Sequence, residues 1–249
     1  MILIVGLTRV LENGNVNMNN NLLQIKIKQR LNKLDSFDYD NLTCWQIAEA
    51  FNKAQIEWTR RQIYGYNARK EGAEQSSGLI DDLQKLMKHE VLTMTEKSIY
   101  YDGEIPSDYL HYVRIDIFAK TDCCPERRMT VYEVEESNIS IILNSDDKKP
   151  SFEWGETVST RMDDRLKVYT NGEFGIIECH LIYFRKPREV QLNGCININT
   201  GFEFTQDQTC EYNDDIAEII CDNAAMILAG DIESMTQYQR EQQSIQTNS

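Results

Sequence analysis

LKVYTNGEFGIIECHLIYF, residues 166–184, decides how the chain is read. Two runs rich in β-branched and aromatic residues flank Asn171-Gly172. Asn-Gly supplies the positive φ angles of a type I′ turn, so the stretch predicts a hairpin. Period two then extends outward. Upstream, Val113, Ile115 and Ile117 alternate with Arg114, Asp116 and Phe118, a strand pattern. Downstream, Asn193-Gly194 between VQL and CINI predicts a second hairpin. Ser137 to Leu143 fits a strand or one helical turn. All four prolines (Pro106, Pro125, Pro150, Pro187) fall in this middle zone. Five to seven strands are expected there, enough for a small sandwich or barrel.

The flanks switch to helical spacing. Leu23, Ile27, Leu31 and Leu34 share one face, as do Ile47, Phe51, Ala54 and Trp58. Asp38, Asp40 or Asn41 is a candidate cap for the second of these helices. Ser76 or Ser77 then opens a third, with the stripe Ile80, Leu83 and Met87. Near the end, DDIAEIICDNAAMILAGDIESMTQYQREQQ (214–243) reads as one long helix. Asn213 suits its N-cap, and Asp214 and Asp215 suit the positive end of its dipole. Its apolar positions form two stripes, Ile216, Ile220, Ala224, Ile227 and Cys221, Ala225, Leu228, Ile232, Met235. A face this wide touches more than one neighbour, some of them expected in another subunit.

The expectation is therefore an α+β fold: a helical bundle of N-terminal helices plus the long C-terminal helix, with an inserted antiparallel β domain. The expected divisions are an N-terminal extension over 1–17, a discontinuous bundle of 18–97 and 206–240, the β insertion over 98–205, and a polar tail over 241–249. Met18 is a plausible alternative start.

Composition narrows the function. The chain has 249 residues, 41% apolar and 27% charged, ordinary for a soluble globular protein. Its net charge of −14 argues against gripping nucleic acid by its phosphates and against anionic membranes. From Gln206 to Ser249 there are nine acidic residues and one basic one, Arg240. The longest apolar run, MILIVGL, is too short to span a bilayer and a poor signal peptide. Seven cysteines at irregular spacings read as reduced thiols in a cytosol.

Chemistry-bearing motifs are few. His89, His111 and His180 lie in no catalytic pattern. Cys179-His180, on a strand, points to opposite faces and makes a poor metal pair. Asp35, Asp38 and Asp40 lack the spacing of a calcium loop. No glycine-rich phosphate loop or nucleophile elbow is present. No cofactor, metal site or catalytic residue is assigned. Arg60, Arg61, Tyr64, Tyr66, Arg69 and Lys70 form a basic, aromatic cluster, read first as a solvated helix end, next as an interface for an acidic partner and last, given the overall acidity, as a nucleic-acid contact.

Several segments together resemble a known family. IPSDYLHYVRIDIF is similar to the segment that opens the β region of head-to-tail adaptor proteins in short-tailed phages. KKPSFEWGE, a hairpin and then LIYFRKP resemble that family's lysine-proline segment and its tyrosine…arginine-x-proline strand end. CEYNDDIAEIICDNAAMILAGDIES resembles its closing helix. The likeness covers about residues 20 to 240 and is nearest to the ring or collar proteins of crAss-like phages, relatives of podovirus tail tubular (gatekeeper) proteins.

The resemblance implies a non-enzymatic virion subunit in the head-to-tail connector, assembled in the bacterial host cytoplasm. Expected partners are copies of itself in a ring, usually twelvefold, the portal protein, other connector and tail proteins, and double-stranded DNA passing without sequence-specific binding. Residues outside the family pattern include 1–17 and much of the tail. Arg60, Arg61, Tyr64 and Tyr66 are then candidate subunit contacts, and Asp222, Asp231 and Glu233 candidates to face the channel. A different reading is a tail or baseplate module that recognises a host surface through the β zone, with Trp154 or the tyrosines exposed. A third is an unrecognised cytosolic enzyme with a deep pocket.

Overall fold

The computed structural model describes residues 18–31, 42–64 and 83–231. The chain divides into two compact units, Met1–Lys85 with Pro187–Ser249, and Leu86–Lys186. Among the described residues, no helix is long and apolar enough to cross a membrane.

In the first unit, α1 (Asn20–Leu31), α2 (Cys44–Tyr64) and a late helix (Asp214–Asp231) pack together. The expected stripes are buried: Leu23, Ile27 and Leu31 on α1, and Ile47, Phe51, Ala54 and Trp58 on α2. Thr43 and Gln46 form a reciprocal capping box at the start of α2. The Gln46 amide donates to Thr43 Oγ1 (3.3 Å) and the Thr43 amide to Gln46 Oε1 (3.0 Å). This replaces the expected cap at Asp38, Asp40 or Asn41, which lie outside the described residues. Asn213 takes the N-cap place of the late helix, its carbonyl accepting from Ala217 N at 2.9 Å.

Between these helices runs an irregular segment from Pro187 to Asn213, and α2 reads its backbone with polar side chains. Asn52 accepts from Val190 N (2.7 Å) and donates to Val190 O (3.1 Å). Gln55 donates to Arg188 O (2.9 Å). Thr59 Oγ1 meets the Tyr212 hydroxyl at 2.6 Å inside the core. Buried backbone outside a ladder needs such partners.

The second unit is one eight-stranded sheet: β1 (Met87–Leu92), β2 (Met94–Glu96), β3 (Tyr100–Glu104), β4 (Tyr109–Thr121), β5 (Cys124–Glu133), β6 (Glu156–Met162), β7 (Arg165–Tyr169) and β8 (Gly175–Arg185). The order is β1-β8-β4-β5-β6-β7-β3-β2. Its two end strands, β1 and β2, are consecutive in sequence and separated by Thr93 alone. The sheet is thereby nearly closed into a barrel. Leu92, Ile115, Ile117, Met129, Val131, Leu166, Val168, Leu181 and Tyr183 fill it. The β4–β8 register slips between Tyr112 and Arg114, so Val113 is an extra residue. That bulge puts Tyr112, rather than Val113, opposite the inward-facing Tyr183. A short 3₁₀ turn (Glu136–Asn138) and α3 (Ile139–Leu143) follow β5, which resolves the ambiguous Ser137–Leu143 stretch as helical. The late helix is α4.

Several expectations are corrected. The molecule is mixed α/β, with four α-helices and a nearly barrel-shaped sheet among the described residues, not a helical bundle with a long terminal helix and an antiparallel insertion. The described α4 spans 18 residues. Strands begin at Met87, where a third helical stripe was expected, and the β5–β6 pair is parallel. The Asn171-Gly172 turn has the expected positive φ angles, 52° and 73°. It nevertheless joins β7 to β8, which do not pair with each other. The Thr170 and Asn171 amides instead bond Ile99 O, both at 3.0 Å. Leu192–Cys195 likewise closes a turn around Asn193-Gly194, but the chain on either side pairs with residues 203–208.

The cysteine reading is also corrected. Cys44 and Cys195 form a disulfide; the other five are free thiols. Parity and spacing carry no information about a pair brought together across 151 residues.

Candidate functional site

Among the described residues of the first unit, a hairpin tip is a feature that its own fold does not account for. Residues 195–204 fold back through Phe204 N→Cys195 O, Gly194 N→Phe204 O and Asn197 N→Phe202 O, each 2.9 Å. Asn197 Oδ1 accepts from the amides of Asn199 (2.9 Å) and Thr200 (3.2 Å). Gly201, at φ 72°, closes the loop with a 2.7 Å bond to Asn197 O. The base is fixed to the start of α2 twice: by the Cys44–Cys195 bond and by Trp45 stacked on Phe204, centroids 6.2 Å apart.

This braced loop carries large apolar side chains into solvent. Phe202 is 77% exposed, Ile198 67% and Ile196 57%. Cys195, between them and the unit, is buried. Ile196 and Ile198 share one face of the hairpin and Phe202, opposite Asn197, lies on the other, so the braced tip presents apolar side chains on both faces. Period two in CINI showed that Ile196 and Ile198 alternate with Cys195 and Asn197. It did not show which set faces inward, so sequence reasoning missed them.

The residues singled out from sequence are dispersed. Arg60 and Tyr64 are exposed at the end of α2, and Arg61 is half-buried beside them. Tyr66, Arg69 and Lys70 lie outside the described residues, as does Glu233; of Asp231, the backbone is described as the last residue of α4. Asp222 is engaged within the unit. Arg30 binds it through Nε and binds Glu218 through Nη2, while Lys26 also pairs with Glu218. The two apolar stripes of α4 are covered by α1 and α2: Ile216, Ile220, Cys221, Ala224, Ala225 and Leu228 are all buried. Those stripe residues are thus used inside the chain, whereas Ile227 is half-buried and Ile232 and Met235 lie outside the described residues.

Two of the second unit's polar clusters involve its inward-facing tyrosine and its histidines. At one mouth of the barrel, Tyr183 donates to Asp108 Oδ1 (2.7 Å) and lies 3.0 Å from Glu90 Oε2. Lys88 pairs with both carboxylates at 3.0 Å. Burial works against ionisation of Asp108, but the Tyr183 and Lys88 hydrogen bonds outweigh it and hold the carboxyl below its ordinary value. The Lys88 ammonium is pushed above its ordinary value, first by Asp108 and then by Glu90. Every member has a partner here, which suits a structural clamp. On the outer face, His89 Nε2 lies 2.8 Å from His180 Nδ1, and His180 Nε2 lies 2.9 Å from Glu178. Cys179 points into the barrel and His180 outward, as period two dictates. No group of three or more potential metal ligands is found among the described residues.

No family model matches the sequence, and no curated protein matches it.

Proposed function

We propose that this chain is a structural virion protein, a ring subunit of a phage head-to-tail connector, carried in the neck or tail. The observation that supports it is the braced apolar tip at Ile196, Ile198 and Phe202. A closed ring needs heterologous contacts, one surface of each subunit meeting a different surface of the next. A rigid apolar projection supplies one half of such a contact at little ordering cost. The resemblance of the IPSDYLHYVRIDIF, KKPSFEWGE and closing-helix segments to adaptor ring proteins points to the same class. On this reading the portal and other connector proteins lie above and below, and DNA passes through the opening. A net charge of −14 suits passage, because it disfavours the phosphate binding that basic surfaces produce.

Electron microscopy of the purified full chain tests the reading. Closed rings of uniform diameter are expected, and fields of single small particles at high concentration would reject it.

A further inference from the structure

The parallel β5–β6 pair obliges the chain to cross over between residues 134 and 155, and that crossover walls a cleft of about 650 Å³. Its floor is the outer face of the pair, where Tyr132 sits opposite Val158. Its end is Trp154, 79% exposed on the turn that leads into β6.

An indole so exposed is normally costly to leave in water, yet this turn is built to hold it there. Arg127 donates to Phe152 O (2.9 Å) and Glu153 O (3.1 Å) and lies over the Phe152 ring. Phe152 in turn contacts Phe174 of the barrel core, centroids 6.1 Å apart. Gly155, at φ 72°, packs so closely on Arg127 that a Cβ would sit 2.7 Å from its Nη2. Gly155 N bonds Ser151 O at 3.1 Å. The Tyr132 hydroxyl is steadied by Glu156 at 3.2 Å.

The rim is mixed. Asp146, Asp147, Glu153 and Glu156 offer acceptors, and Lys148 and Lys149 offer donors. Four carboxylates disfavour a phosphorylated or otherwise anionic ligand. Lys149 is paired with Asp146 at 3.3 Å and carboxylates outnumber ammonium groups, so a cationic ligand is the competitor that the tri-lysine arm of the test addresses. A ligand whose hydroxyls both donate and accept uses both sets, and one with an apolar C–H face uses the indole and the phenol. We propose that this cleft binds a neutral saccharide, its ring stacked on Trp154 and its hydroxyls held by the acidic and basic rim. The volume suits a few sugar units. This binding is separate from ring assembly, since cleft and hairpin tip share no residue.

The test is titration of the full chain with neutral oligosaccharide trimers of glucose, galactose and N-acetylglucosamine, followed by calorimetry and by Trp fluorescence. Binding of at least one trimer is expected. Trp154→Ala should weaken it by about tenfold or more, with the thermal midpoint unchanged, and Trp154→Phe should restore part of the loss. Failure of all trimers to bind at millimolar concentration overturns the proposal. So does binding indifferent to Trp154→Ala, or a tri-lysine peptide binding in place of the sugars.

Discussion

Cys44, the first residue of α2, is bonded to Cys195 at the base of the exposed hairpin, their Cα atoms 5.9 Å apart. The bond ties the apolar tip to a helix 151 residues away in sequence. A cross-link over so long a loop constrains the unfolded chain strongly. Cys44→Ser should lower stability by about 2–5 kcal/mol. Alkylation followed by mass spectrometry checks the pairing. In the native protein Cys123 and Cys124, both exposed, should react first. Burial pushes the Cys179 and Cys221 thiols up to about 12 and Cys210 to about 11, so these should react after unfolding. Cys44 and Cys195 should need a reductant. Seven reactive thiols in unfolded, unreduced protein would contradict the pairing.

The barrel-mouth clamp gives the second unit a pH signature. The Asp108 carboxyl is depressed in the folded state, so its contribution is complete above the unfolded value, about 3.9. It is lost as pH falls through the lower folded value. Lys88 is raised, so its contribution is complete below about 10.4 and lost at higher pH. Acid unfolding should therefore be shallower in Asp108→Asn than in the unaltered protein. Tyr183→Phe removes the hydrogen bond that a buried hydroxyl donates to Asp108 and should cost about 1–2 kcal/mol near neutral pH. Urea titrations at pH 3, 5 and 7 read both effects; parallel pH profiles for Asp108→Asn and the parent would remove the clamp.

Arg30 holds α1 to α4 through Glu218 and Asp222. Arg30→Ala removes the guanidinium that Glu218 and Asp222 share, leaving Glu218 with Lys26, and should destabilise the first unit by about 1–2 kcal/mol. Arg30→Lys keeps the charge but loses the fork that reaches two carboxylates, and should recover part of that. A melting temperature unaffected by Arg30→Ala would mean that the triad contributes nothing.

Sequence periodicity located α1, α2 and the start of α4, because Leu23/Ile27, Ile47/Phe51 and Ile216/Ile220 repeat at helical spacing and are all buried. It misread Met87–Leu92. His89 and Val91 alternate with Glu90 and Leu92 as a strand requires, but Leu83 and Met87 also fit a helical stripe. Asn171-Gly172 gave the correct backbone conformation and the wrong pairing, because turn chemistry is local and the partners of β7 and β8 are not. The width of α4's apolar face was legible; that α1 and α2 of the same chain cover it depends on packing. The candidate site was less visible. Trp154 was noticed within KKPSFEWGE, whereas the tip at Ile196, Ile198 and Phe202 looked like an ordinary strand and turn.

Sedimentation of the full chain over a wide concentration range, beside Phe202→Asp, tests the central claim most directly. The parent should pass from small species to a discrete high-order one, and a charge at the tip should keep the variant small with its fold intact. A parent that stays monomeric at every concentration, or a variant that assembles equally well, would contradict the account.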